Sequence, residues 1–309
     1  MSLGNVSGKI IHQFVIGGFD TLDRPLTVGI VILCIYLLVM LSNLANICFI
    51  LHDKRLHKPM YLLICNLAVV DMLYSSSACP TMIGVLVAGD KAIAYVSCFI
   101  QMFVFHLGGV MEMFAISVMA FDRLIAISNP LRYQSILTNV RTLVLTGALW
   151  LVACAFVAVM PATVLSLPYC HSTLKYTFCD YAALVRATCV NPMNTVLVLH
   201  VPFVFIVLSY VCILLALFRI TSWEGLVKAL KTCLSHLLRV ALFFLPFIST
   251  YIAAVTFSLH PNARIICLSL ASAIPLMLNP VIYVLNTEGN RGFLKKMVKQ
   301  NTSSIIPVN

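Results

Sequence analysis

The sequence predicts an all-α membrane protein, a bundle of seven transmembrane helices followed by a short amphipathic eighth helix. Three observations predict this fold. Hydrophobic residues make up 61% of the 309 residues and charged residues only 10%, which leaves too little polar surface to coat a soluble globule of this size. Seven apolar runs are each about 20 residues long or longer, enough to cross roughly 30 Å of hydrocarbon at 1.5 Å per residue. Backbone polar groups have no water partner in lipid, so each run is expected to be a helix and not an open strand.

The chain divides into three parts along its length. Residues 1–25 are the expected extracellular N-terminus, 26–286 the transmembrane domain, and 287–309 the cytoplasmic helix and tail. The first part lacks a basic segment followed by an apolar core and a cleavage site, so the first span is expected to act as the targeting signal. The seven spans are predicted at 26–51, 60–87, 97–127, 141–166, 194–219, 233–258 and 263–286.

Lysine and arginine residues set the predicted orientation. Fourteen of the 20 fall on one side of the predicted spans and six on the other. Because cytoplasmic loops carry the excess of positive charge, the N-terminus is predicted to be extracellular. The net charge of +10 therefore indicates topology and contact with the headgroups of the lipid bilayer, and no basic domain supports binding to nucleic acid. Asn5 opens an Asn-Val-Ser triplet on the outer side and is a candidate glycosylation site.

Four of the 12 cysteines fall where oxidation is possible. Cys98 lies at the outer start of the third span, and Cys170, Cys179 and Cys189 lie in the outer segment between spans four and five. Four cysteines allow three pairings, and the sequence alone does not choose among them. The other eight fall inside spans and are interpreted as small buried hydrophobic residues, since no C-x-x-C motif or Cys/His cluster indicates a metal.

Two carboxylates are predicted at one depth, near the bilayer midplane. Glu112 lies about 21 Å from the outer start of the third span, and Asp71 about 18 Å from the inner start of the second, at 1.5 Å per residue. Two such groups cannot both stay ionised cheaply, so we expect them to hold either a proton or a cation such as sodium. Asn43 and Asn279 lie somewhat nearer the inner face and would complete the site. The alternative is that these groups only hydrogen-bond helices to one another.

The segment 119–133 carries the most specific signal in the chain. It reads M-A-F-D-R-L-I-A-I-S-N-P-L-R-Y and places Asp122 and Arg123 at the inner end of the third span, where charge is costly and usually marks function. This run resembles the M-A-Y-D-R-Y-x-A-I-C-x-P-L-x-Y signature of odorant receptors, a branch of the rhodopsin-like G-protein-coupled receptors. The resemblance extends from about residue 42 to 297 and includes 42–43, 56–61, 66–71, 228–237 and 275–283. The chain is identified as a divergent member, because it departs from the family pattern at Ser42, Phe121, Leu124, Ser128, Pro246 and Asn286.

The resemblance implies a plasma-membrane receptor that binds a small-molecule odorant. It implies that the bound receptor activates a heterotrimeric G protein, with the stimulatory, cyclic AMP pathway expected from the family. It also chooses one cysteine pairing, Cys98 with Cys179 and Cys170 with Cys189. The second of these bonds would close a ring of about 20 residues and contribute roughly 3 kcal/mol in the chain-entropy model.

The family's switch and ligand residues map onto particular positions of this chain. Asp122 would hold Arg123 in the resting state, and Asn279, Pro280 and Tyr283 would form the polar hinge of the seventh span. The matching ligand positions lie in the outer halves of spans three, five, six and seven, and they are Phe105, His106, Gly109, His200, Phe203, Phe247, Ile248, Tyr251 and Ala271. The alternative is that these aromatic residues only pack in the core of the bundle, since core packing gives the same helical spacing.

Other functions lack the residues they need. A retinal protein needs a lysine in its last span, and 263–286 has none. An amine receptor would want a carboxylate in the outer half of the third span, and 100–109 has none. No inverted repeat indicates a transporter, although an ion path through Asp71 and Glu112 stays open, and no nucleophile motif indicates an enzyme. The remaining alternative is a rhodopsin-like receptor for an endogenous lipid or peptide outside olfactory tissue.

Overall fold

The computed structural model describes residues 4–6, 9–128 and 132–189. These ranges contain the first four predicted spans and the outer segment that follows the fourth. The helices are α1 (Pro25–His52), α2 (Pro59–Ile83), α3 (Tyr95–Ser128), α4 (Tyr133–Ile136), α5 (Asn139–Leu165) and α6 (Tyr181–Ala187). The predicted spans 194–219, 233–258 and 263–286 and the eighth helix lie outside the described residues.

Four of the described helices, α1, α2, α3 and α5, are long and apolar enough to cross a membrane. Each begins within two residues of the predicted start. Pro25 and Pro59 stand in the first turns of α1 and α2, where the fixed φ of proline suits a helix and its missing N–H is not needed. Thr138 caps α5, because its hydroxyl accepts a hydrogen bond from the backbone N–H of Arg141 at 3.2 Å.

The outer end of α2 differs from the prediction, which treated 60–87 as one continuous α-helix. The α-helix ends at Ile83, and a π-helical turn over Gly84–Ala88 continues it. Pro80 within α2 has no N–H to donate, and the N–H of Gly84 reaches the carbonyls of both Pro80 and Thr81. The turn ends at Gly89, whose φ of 72° lies in the left-handed region that glycine adopts without strain.

Among the described residues, five short strands lie outside the spans, which the all-α prediction did not anticipate. They are β1 (Gly4–Val6), β2 (Lys9–Ile11), β3 (Gln13–Ile16), β4 (Ala92–Ala94) and β5 (Thr173–Leu174). β1 and β2 form an antiparallel pair, and β3 lies between β4, antiparallel to it, and β5, parallel to it. The N-terminal segment therefore joins two other segments into one layer over the helices. They are the loop between α2 and α3, which contains β4, and the segment after α5, which contains β5.

An aromatic cluster fastens this outer layer to the bundle. Phe14 of β3 is fully buried, with its ring 5.6 Å from that of Tyr95 and 5.5 Å from that of Tyr169. Burial, and then the neighbouring Tyr95, raises the pKa of the Tyr169 hydroxyl well above its usual value. This hydroxyl therefore keeps its proton and donates a hydrogen bond to the carbonyl of Val164 at 3.2 Å.

α2 and α3 pack against each other in a register that two close contacts define. The Gln101 amide of α3 donates to the carbonyl of Ser77 at 2.6 Å and to the hydroxyl of Thr81 at 2.7 Å. Further inward, Gly108 lies directly against Tyr74, so that a Cβ built on Gly108 would stand 2.8 Å from the Cβ of Tyr74. The small residue lets the two helices approach closely, as in other membrane bundles.

Large apolar side chains stand on the outward faces of α1 and α5. Leu41 is 65% exposed and Leu151 is 75% exposed. Helices that are apolar on every side suit a lipid surrounding, where an exposed leucine has no cost. On its inward face α5 is tied to α2 by the indole N–H of Trp150, which donates to the side-chain oxygen of Asn66 at 2.9 Å.

Candidate functional site

Two disulfide bonds hold the outer segment between α5 and the fifth predicted span. Cys98 at the start of α3 is bonded to Cys179, with 5.3 Å between the Cα atoms, and Cys170 is bonded to Cys189, with 5.1 Å. These are the two bonds that the resemblance implies. The first pins the segment, called the outer loop below (residues 166–189), to the mouth of the bundle, and the second closes a ring within it.

Gln101 extends this anchor one turn further inward along α3. Its side-chain oxygen accepts a hydrogen bond from the backbone N–H of Cys179 at 2.9 Å, while its amide nitrogen donates to α2, as described above. One buried side chain thus joins the outer loop, α3 and α2. Sequence reasoning did not single out Gln101, because a glutamine in an apolar helix has many possible partners.

The three predicted ligand positions on α3 lie below this anchor. Phe105 is buried, and its ring centroid stands 4.7 Å from those of both Tyr74 of α2 and Phe178 of the outer loop. Gly109 is half-buried, and a Cβ there would make ordinary contact with the Tyr74 ring at 3.6 Å. The aromatic residues therefore line the contact between α2, α3 and the loop.

His106, the third of these positions, faces a carboxylate that the sequence argument missed. Its Nδ1 lies 2.8 Å from the carbonyl oxygen of Met102, and its Nε2 lies 3.3 Å from Oδ1 of Asp180. We expected the outer half of the third span to lack an acidic partner, and its own residues do; the acid comes from the outer loop. The available signal was that Asp180 follows Cys179, which the disulfide brings to α3.

The remaining predicted ligand positions, His200, Phe203, Phe247, Ile248, Tyr251 and Ala271, lie outside the described residues. A cavity of about 740 Å³ opens in the outer loop and is lined by residues from 170–176 and from α6. None of the predicted ligand positions that the structure describes lines this cavity. Asn5 belongs to β1, and its side chain lies outside the described part of the structure.

The predicted midplane carboxylates are both buried and fall at matching positions. Asp71 is 0% exposed and Glu112 is 1% exposed. From the contact of Tyr74 with Gly108, three residues inward along α2 reach Asp71, and four residues inward along α3 reach Glu112, so the antiparallel register brings both to one level. Asn43 of α1 is also buried, and its amide donates to the carbonyl of Val39 at 3.0 Å. Asn279 lies outside the described residues.

The inner end of α3 carries the second predicted feature. Asp122 is fully buried, and the hydroxyl of Tyr133, the first residue of α4, donates a hydrogen bond to its Oδ1 at 2.7 Å. Arg123 lies in α3, and its side chain is outside the described part of the structure, as are Asn279, Pro280 and Tyr283. The contact with Tyr133 was not predicted, because it depends on how the chain turns between α3 and α4.

The long apolar helices identify a multi-pass membrane protein. The disulfide-anchored loop and the buried aspartate at the inner end of α3 are features that the resemblance to G-protein-coupled receptors implies. This chain belongs to the olfactory receptor family, since the family model described as "Olfactory receptor" matches residues 32–301. Human olfactory receptor 1M1 is 35% identical over 282 residues, which cover 88% of this chain and 89% of that protein. Mouse olfactory receptor 1M1 is 34% identical, over 88% and 90% of the two chains. Human olfactory receptor 10G4 is 35% identical, over 86% and 88%. The protein is therefore a receptor and not an enzyme.

Proposed function

We propose that this receptor binds a small odorant in the outer part of the bundle, beneath the outer loop, and responds by activating a heterotrimeric G protein. One observation supports this site most directly. Phe105 and His106, at consecutive positions of α3, both contact the disulfide-anchored loop, through Phe178 and Asp180. The family match does not favour the alternative of a receptor for an endogenous lipid or peptide.

The chemistry of these walls favours a mostly apolar ligand with one polar group. Rings from α2, α3 and the loop supply the apolar surface, and the pair of His106 and Asp180 supplies a hydrogen-bonding group. Small-molecule sites commonly combine apolar walls with a few placed polar groups. The predicted positions on spans five, six and seven would complete the enclosure.

The test is a panel of odorants applied to cells that express the receptor, with cyclic AMP as the readout. For any activating odorant, Phe105→Ala should raise the half-maximal concentration by about tenfold or more, the effect of losing 1.5–3 kcal/mol of aromatic contact. Phe103→Ala is the matched control, because Phe103 packs against a separate apolar cluster, the one that contains Leu107 and Val157. An unchanged response in Phe105→Ala with normal surface expression would overturn the proposed site.

The inner end of α3 is proposed as the G-protein switch. Asp122 would restrain Arg123 at rest, with the Tyr133 hydroxyl holding the carboxylate in place at 2.7 Å. A ligand shifts the equilibrium toward the active bundle only through its higher affinity for that state. Asn279, Pro280 and Tyr283 would act as the hinge of span seven, and the family leads us to expect the stimulatory, cyclic AMP pathway.

A sodium ion is proposed between Asp71 and Glu112, with Asn43 and Asn279 as further oxygen donors. The fit is reasonable, because the two acids are buried at one level and carboxylate and amide oxygens suit hard cations. When bound, the ion would neutralise charge that is costly to bury. A proton shared by the two acids is the competing account, and the two differ in their response to sodium and to pH.

The receptor is proposed to lie in the plasma membrane with its N-terminus outside. The excess of Lys and Arg on the opposite side of the spans supports this orientation. Asn5 would then be glycosylated, so enzymatic removal of N-linked glycans should increase the gel mobility of the parent and leave that of Asn5→Gln unchanged. Antibody labelling of an N-terminal tag on intact cells tests the orientation separately, and absence of labelling in a signalling receptor would contradict it.

A further inference from the structure

The interaction between His106 and Asp180 is attractive or repulsive depending on whether the imidazole carries one additional proton. A carbonyl oxygen can only accept a hydrogen bond, so Nδ1 of His106, 2.8 Å from the carbonyl of Met102, must carry hydrogen. In the neutral ring Nε2 is then bare and presents a lone pair to the Asp180 carboxylate at 3.3 Å. In the charged ring Nε2 carries hydrogen as well, and the contact becomes a charge-assisted attraction.

The position of Asp180 lets this contact act on the outer loop. Asp180 lies between Cys179, which is bonded to Cys98, and Tyr181, whose backbone N–H donates to Asp180 Oδ1 at 2.7 Å and begins α6. The side chain of His106 is 15% exposed and that of Asp180 is 25% exposed, so solvent screens the pair only partly. Along α3 this contact lies further inward than the disulfide, the Gln101 hydrogen bond and the ring contact of Phe105 with Phe178.

We propose that His106 and Asp180 form a proton-operated latch, which fastens residues 178–187 of the outer loop onto α3 when His106 is charged and loosens them when it is neutral. The latch rests on the proposed function only in that the loop covers the proposed odorant site. Acid would then favour the closed loop, and mildly alkaline conditions would favour entry and exit of the ligand. The latch should therefore be closed in mild acid, at about pH 5.5, and open in mild alkali, at about pH 8.

Among the described residues, His106 is the basic side chain that lies against Asp180. No lysine or arginine among the described residues forms an ion pair with Asp180. From α2, Tyr74 lies within electrostatic reach of both Asp180 and Glu112, and from α6 the ring of Tyr181 stands 6.4 Å from that of His106. On α3 the nearest acid inward is Glu112, and residues 155–165 of α5 carry no charge. Lys175 and Arg186 of the outer loop are both exposed and line its cavity.

The experiment is hydrogen exchange with mass spectrometry on purified, ligand-free receptor at pH 5.5 and pH 8.0, corrected for the intrinsic pH dependence of exchange. Peptides covering 178–187 should exchange about fivefold more slowly at pH 5.5, the factor expected for a partly screened ion pair. His106→Gln and Asp180→Asn should each abolish this difference. Asparagine still caps a helix, so Asp180→Asn removes the charge and retains the bond to Tyr181.

Two variants of the same outer layer serve as matched controls. His171→Gln removes an exposed histidine of the outer loop, and Asp20→Asn removes an exposed carboxylate that is paired with Lys91 at 2.6 Å. Both should keep the pH-dependent protection of 178–187. Protection that is equal at the two pH values in the parent, or that persists in Asp180→Asn, would overturn the latch.

The outcome is separable from that of the proposed function. A parent that shows the pH-dependent protection but answers no odorant retains the latch and loses the proposed function. A parent that signals to odorants with pH-independent exchange retains the function and loses the latch.

Discussion

Replacing Gly108 by alanine tests the packing that sets the level of the two midplane acids. A Cβ at this position would stand 2.8 Å from the Cβ, 2.9 Å from the Cδ2 and 3.1 Å from the Cα of Tyr74. The last of these is a backbone atom, so a side-chain rotation alone does not relieve the overlap. Tyr74 is also held by its ring contact with Phe105 at 4.7 Å. We therefore expect α2 and α3 to move apart.

These distances allow the loss in the free energy of unfolding of Gly108→Ala to be estimated. Overpacking of a close-packed site costs about 1–3 kcal/mol, and the better helix propensity of alanine returns up to about 1 kcal/mol. Because the overlap includes a backbone atom, we take the upper part of the overpacking range, about 2–3 kcal/mol, and the net loss of stability is then about 1–2 kcal/mol. Since 1 kcal/mol shifts the melting temperature by roughly 2–4 °C in domains of 150–250 residues and by less in longer chains, Gly108→Ala should melt about 2–5 °C below the parent.

The assay is thermal unfolding of the detergent-solubilised receptor, with all variants compared at one scan rate because membrane receptors often unfold irreversibly. Gly147→Ala on α5 is the matched control, since nothing lies within 4 Å of a Cβ at that position, and its melting temperature should not fall. The melting temperature of Gly109→Ala should not fall either, because its Cβ would make only ordinary contact with the Tyr74 ring at 3.6 Å. A Gly108→Ala receptor that melts at or above the parent would refute the close approach of α2 and α3.

Three further outcomes are expected. Arg123→Ala should abolish odorant-evoked cyclic AMP while surface expression stays near that of the parent, because the arginine is proposed to contact the G protein once Asp122 releases it. Mass spectrometry of non-reduced peptides should find both outer disulfides, because the outer side is oxidising, and Cys98 should yield no free thiol. Raising sodium at constant ionic strength should lower agonist affinity and raise the melting temperature, since the ion would favour the compact resting bundle. The double variant Asp71→Asn with Glu112→Gln should lose both sodium responses.

A specific experimental result would contradict each of these three predictions. Normal cyclic AMP from a well-expressed Arg123→Ala receptor would leave Asp122 and Arg123 as an interfacial anchor only. Lys54→Ala, which removes an exposed lysine just beyond the inner end of α1, is the control for lost positive charge. Free thiols at Cys98 and Cys179 in folded protein would contradict the disulfide that anchors the outer loop. Identical sodium responses in the parent and the double variant would leave a shared proton, or packing alone, as the account of the midplane acids.

The positions of the four long described helices could be predicted from the sequence because lipid imposes a local rule. A run of apolar residues of sufficient length must satisfy its own backbone hydrogen bonds, and only a helix does so within one segment. The span predicted at 141–166 is the helix Asn139–Leu165, and the proline at the start of α2 marks its beginning to within one residue. The π-helical turn after Ile83 could not be predicted in the same way, since apolar composition does not distinguish one helix type from another.

The strands and the outer layer depended on tertiary structure. β3 is only four residues long, and it is stable because two segments far away in the chain, β4 and β5, supply its hydrogen-bond partners. Short strands outside a bundle carry no periodicity long enough to detect. The role of Phe14 in anchoring the outer layer likewise depends on its ring contacts with Tyr95 and Tyr169, which come from distant parts of the chain.

The sequence by itself determined the class of fold, the depth of Asp71 and Glu112 along their helices, and the family through its motifs. Depth follows from counting residues at a fixed rise, which is a property of one helix. Only the tertiary structure decided which side chains meet, because partners such as His106 with Asp180 and Asp122 with Tyr133 come from different elements. Their contacts depend on how a loop is pinned and how a turn is made, and those are properties of the packed chain.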